Sequence, residues 1–118
     1  MRLTLALVAS MGLTLWGCAR RVPPIAGPSD VAWAQGKWPE MEAADLERGR
    51  ALVQSKCGGS CHRPPMPSDQ PSMAWPLHVA EMSERAGLDP ESHLLVERYL
   101  MTLSRPADQT ASRVSPTP

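Results

Sequence analysis

The sequence predicts an all-α domain built on three main helices, and three observations carry that prediction. Leu46, Gly49, Arg50 and Val53 recur at i, i+3, i+4 and i+7, the spacing of a single helical face. Trp75, Val79 and Met82 repeat at i, i+4 and i+7 ahead of Gly87, a helical face followed by a glycine suited to the position just past a helix end. Asp89-Pro90 opens a third stretch in which Leu95, Tyr99 and Leu103 form a stripe before Pro106. That is a cap, a first-position proline and a terminator, in the order a helix needs them.

Taken in order, the first helix is expected from about Glu42 to Gln54. The second runs from Ser72 to Ala86, and Pro76 is tolerated because it falls in or near the first turn. The third follows Asp89 and stops short of Pro106. Ahead of these, residues 18–40 hold Pro23, Pro24, Pro28 and Pro39 with Gly27 and Gly36, and read as an extended tether. Trp33 and Trp38 within it are assigned to packing back on the domain, with a docking strip as the alternative. Residues 105–118 are polar, contain proline and lack apolar periodicity, the pattern of a disordered tail. A single domain, residues 41–104, remains between them, without internal repeats.

The first seventeen residues have another purpose. Met1-Arg2 precedes an apolar stretch from Leu3 to Leu15, much shorter than the ~20 residues a spanning helix needs. It is expected to be an export signal, residues 1–17. Leu15-Trp16-Gly17-Cys18 resembles the bacterial lipobox, which implies cleavage before Cys18 and a diacylglyceryl group on its sulfur. An ordinary secretory signal followed by a buried free cysteine is the alternative. By family analogy, Ala19 in place of an aspartate after the cysteine favours the outer membrane, with the domain on the periplasmic side.

Cys57-Gly58-Gly59-Ser60-Cys61-His62 is the most informative segment. Two cysteines followed at once by a histidine are what covalent haem attachment requires, with both thiols on one edge of the porphyrin and the imidazole beneath the iron. The usual spacer is two residues and this one is three. Gly58 and Gly59 ease the extra residue, because glycine enters φ > 0 freely. The motif resembles that of c-type cytochromes in a less common, longer form, and the resemblance implies haem c held by Cys57 and Cys61 with His62 as an iron ligand. A short disulfide, or a zinc site completed by His78 or His93, would use the same residues. His78 and His93 are otherwise expected on exposed helix faces.

The flanking helices add to this resemblance. The stretch from Glu91 to Leu100 is similar to the C-terminal helix of class I cytochromes c, which ends in a Tyr-Leu pair. In that family a small residue on the first helix lets an aromatic of the last one cross closely, and Gly49 and Tyr99 match both places. The alternative is an ordinary helical hairpin in which the glycine costs about 1 kcal/mol relative to alanine. Trp75-x-x-x-Val79-x-x-Met82 is similar to compact c-type domains in which the methionine ligates iron, so Met82 is the expected sixth ligand. Met66, Met73, His78 and an open site stay as alternatives, since methionine on an apolar face is commonly core filler. Arg63 is a candidate partner for a haem propionate, and Pro64-Pro65 stiffen the strand that leaves His62.

Composition narrows the function further. Twelve basic residues stand against twelve acidic ones, which leaves no basic field for nucleic acid. The chain has no phenylalanine, a thin supply of core volume that a bound haem would supplement. No nucleophile–base pair or phosphate loop is present. The expectation is a non-enzymatic, lipid-anchored monohaem cytochrome that passes single electrons to redox proteins at the same membrane surface. A five-coordinate ligand-binding haem protein and a haem-free lipoprotein are the alternatives.

Overall fold

A computed structural model describes residues 22–58 and 63–105, and all regular structure in them is helical. Four α-helices follow one another: α1 (Pro28–Lys37), α2 (Ala43–Leu52), α3 (Trp75–Ala86) and α4 (Pro90–Leu103). A π-helical turn, Val53–Cys57, prolongs α2, and two 3₁₀ turns, Pro67–Asp69 and Ser72–Ala74, lead into α3. The expected all-α class is therefore present, with one helix more than the three anticipated.

That extra helix lies where an extended tether was expected. Its prolines and glycines sit at its ends and not in its path. Gly27 is the extended N-cap and Pro28 the first helical residue, a position whose N–H has no helical partner in any case. The Asp30 carboxylate accepts the Gly27 amide at 2.8 Å, and Pro39 follows the C-cap Trp38. Composition alone reads such a segment as punctuation, whereas position makes it a capped ten-residue helix. The Trp33 and Trp38 rings meet edge to face, 6.0 Å apart, and Trp38 packs against the core.

The chain ahead of α1 is also fixed. Pro23 is buried, and its carbonyl accepts Arg50 Nε at 2.8 Å. The Pro24 carbonyl accepts the Tyr99 hydroxyl at 2.6 Å. At the far end of α4, Arg105 donates to Asp30 at 2.6 Å, with both side chains nearly excluded from water. Arg105, expected in a disordered tail, thus closes the fold over α1. Its guanidinium also lies over the Trp33 ring, 5.0 Å from the centroid.

The helices expected at 42–54, 72–86 and after Asp89 occur at those places. Asp45 accepts the Glu42 amide at the start of α2. Gly87, at φ 65°, ends α3 in the left-handed conformation that glycine adopts freely. Asp89 accepts the Ser92 amide at 2.8 Å, and this bond holds its carboxyl below the usual carboxylate range. The inner stripe of α4 is Val96, Tyr99, Leu100 and Leu103, so Leu95 sits at its margin, only partly buried.

α4 packs chiefly on α2, and Gly49 sets the distance between them. A Cβ placed on Gly49 would fall 2.7 Å from Tyr99 Cβ and closer still to the Leu95 carbonyl oxygen. No side chain fits there, and the obstacle is backbone. Gly49→Ala is therefore expected to destabilise the protein by about 2–3 kcal/mol, despite alanine's better helix propensity. The urea midpoint should fall with little change in slope. Gly36, with nothing within 4 Å of an added Cβ, is the control: Gly36→Ala should raise stability by about 0.5–1 kcal/mol.

Candidate functional site

The candidate site begins where α2 ends. Continuing the helix through Val53–Cys57 as a π turn turns the Cys57 side chain inward, four residues after the buried Val53. Cys57 is 5% exposed and is a free thiol. Burial pushes that thiol's pKa up, so it is held neutral at physiological pH. Gly58 follows as the C-cap. A Cβ there would meet the Gln54 carbonyl oxygen at 3.0 Å and the Pro64 ring at 3.2 Å, so Pro64 comes back directly against the helix end. Gly58 and Pro64 thereby bracket the remainder of the motif. Gly59, Ser60, Cys61 and His62 lie outside the described residues, as does Cys18.

The second wall of the site is α3. Trp75, Val79 and Cys57 belong to one buried apolar cluster, and Met82 packs against it half-buried. The i, i+4, i+7 face read from the sequence is thus the face that α3 turns toward Cys57's surroundings. Trp75 is fixed at its polar end by a 3.2 Å bond from Nε1 to the Pro67 carbonyl. Ser72 Oγ donates to the Met101 carbonyl at 2.8 Å, which ties the start of α3 to α4. Among the alternative ligands, Met73 is 75% exposed, Met66 is half-buried, and His78 packs edge-on against Trp75. Arg63 is exposed.

One connection was not legible in the sequence. His93, expected on an exposed face, is half-buried, and its Nδ1 lies 2.6 Å from Ser83 Oγ. Its Nε2 faces Glu97 at 3.3 Å. Ser83 also donates to the Val79 carbonyl at 2.7 Å. His93 therefore couples α4 to the residue next to Met82. Both of its nitrogens face polar partners, which counts against a role as the fourth ligand of a zinc site. Only the Ser83–His93 distance reveals this link, because ten residues and a turn separate the two positions.

No family model, curated protein or solved structure matches the chain.

Cys57 is a buried neutral thiol within the apolar cluster, and the Met82 thioether packs against the same cluster from α3. Among the described residues no group of three or more His, Cys, Asp or Glu side chains gathers to hold a metal. The motif histidine lies outside them. Burial of Cys57 has a measurable consequence in the unloaded polypeptide. Iodoacetamide should modify Cys57 at least about tenfold more slowly in the folded chain than in denaturant, because reaction requires an exposed thiolate.

Proposed function

We propose that this protein is a lipid-anchored, monohaem, class I-like cytochrome c that relays single electrons on the periplasmic side of a bacterial membrane. The observation that carries this reading is a convergence. Cys57, at the end of the helix that crosses α4 at Gly49, and Met82, on the inner face of α3, border the same apolar cluster. Cys57, Cys61 and His62 form the attachment motif, and Met82 would supply the thioether that completes it.

When bound, the haem supplies a one-electron iron couple. Cys57 and Cys61 would hold the porphyrin at the α2 terminus, and His62 and Met82 would ligate its iron. Trp75 and Val79 keep water from the Met82 side, and a soft thioether in such surroundings favours ferrous iron. The Gly49 crossing fixes α2, which leads to Cys57, against α4, and the Ser72 and Ser83 bonds fix α3, which bears Met82, against the same helix. This role requires no substrate pocket, and the partners are redox proteins at the same membrane surface.

The purified protein is expected to retain haem stain after denaturing electrophoresis, and the double variant Cys57→Ser, Cys61→Ser should lose it. Stain that washes out of the intact protein on denaturation would refute covalent attachment.

Met82→Ala should abolish the weak far-red charge-transfer band of the oxidised protein and admit carbon monoxide to the reduced form. Met66→Ala and Met73→Ala should change neither. If the unaltered protein lacks the band and binds carbon monoxide freely, the function shifts to ligand binding at a five-coordinate haem.

A further inference from the structure

The N-terminal segment is not a long tether. Its chain is fixed from Pro23 onward by the Arg50 and Tyr99 hydrogen bonds to the carbonyls of Pro23 and Pro24. The helix that follows is fastened by Asp30 and Arg105. Between Cys18 and this fixed chain stand only Ala19, Arg20, Arg21 and Val22. From Cys18 to Pro23, even full extension reaches no more than ~18 Å. The polar headgroup layer is itself roughly 6 Å deep on each side of a bilayer, and a domain of this size is on the order of 30 Å across. An acyl group on Cys18 therefore leaves far less free chain than the width of the domain it holds.

What the short leash brings to the surface is apolar. Val22 is 50% exposed and Ile25 72% exposed. They flank the pinned Pro23-Pro24 pair, and Arg20-Arg21 lies between them and the lipid-bearing residue. Exposed aliphatic side chains beside two arginines have the chemistry that an anionic lipid surface attracts.

We infer that the domain sits directly on the lipid surface, held there through its Val22–Ile25 edge by the short span from Cys18 to Pro23. This rests on the proposed acylation of Cys18. The partner it implies is a redox protein embedded in, or seated on, that same bilayer. A soluble carrier far from the membrane lies beyond the domain's reach.

The test is hydroxyl-radical footprinting of the full lipidated chain in vesicles of phosphatidylglycerol and phosphatidylcholine, with the soluble Cys18→Ser chain as reference. Intact mass of the same sample reports acylation. Val22 and Ile25 should react about threefold or more slowly on vesicles than in solution. A variant with about twenty Gly/Ser residues inserted between Arg21 and Val22, a spacer of roughly 25 Å, should regain the solution rates while staying acylated. Missing acylation counts against the anchor itself. Full acylation with unchanged reactivity at Val22 and Ile25, or protection that survives the spacer, overturns the seat imposed by the leash.

Discussion

The close approach of α2 and α4 at Gly49 is the constraint on which the other contacts depend. With the backbone of Leu95 and the Cβ of Tyr99 pressed against a residue that has no side chain, the two helices act as one rigid element. Tyr99 is fully buried, and only its hydroxyl reaches outward, to the Pro24 carbonyl. Arg50, next to Gly49, reaches the Pro23 carbonyl. The crossing thus creates two adjacent donors that capture an incoming strand of proline residues, whose carbonyls accept without any N–H to satisfy. A substitution that separated the helices would release the N-terminal strand as well.

A second fastening closes the opposite end. Asp30 is 1% exposed and accepts both the Gly27 amide and the Arg105 guanidinium. Burying two charges is costly, but removing one partner is worse, typically by about 3–5 kcal/mol, because the other charge is left without compensation. Cations alternate with rings along the same face. Arg105 lies over Trp33, Lys37 approaches both Trp33 and Trp38, and Arg98 lies over Trp38. Each contact is modest, about 0.5–1 kcal/mol where exposed. Together they fix α1 with few aliphatic side chains, in a chain that has no phenylalanine to spend on a core.

The candidate site inherits its geometry from these fastenings. Cys57 is buried because α2 continues into a π turn, and Pro64 against Gly58 brings the chain back to the same place. α3 is oriented independently, by Trp75 on Pro67, Ser72 on Met101 and Ser83 beside His93. Trp75 belongs to the cluster that Met82 packs against, and its one polar atom is satisfied there by the Pro67 carbonyl. Such an arrangement keeps a low-dielectric wall opposite Cys57, which favours the uncharged thiol and a neutral thioether alike.

The sequence by itself determined the helical class, the positions of α2, α3 and α4, and the shared face of Trp75, Val79 and Met82. These are local properties: periodicity, caps and turn residues act within a few positions and need no tertiary partner to be read. The tertiary structure alone decided that Pro28–Lys37 is a helix, that Pro23 and Pro24 are captured, that Arg105 belongs to the fold, and that His93 meets Ser83. Asp30 and Arg105 are 75 positions apart, as are Pro24 and Tyr99. No short-range pattern encodes such pairs, because each residue is unremarkable in its own segment. They become partners only when the packed helices bring Pro24 against Tyr99 and Asp30 against Arg105.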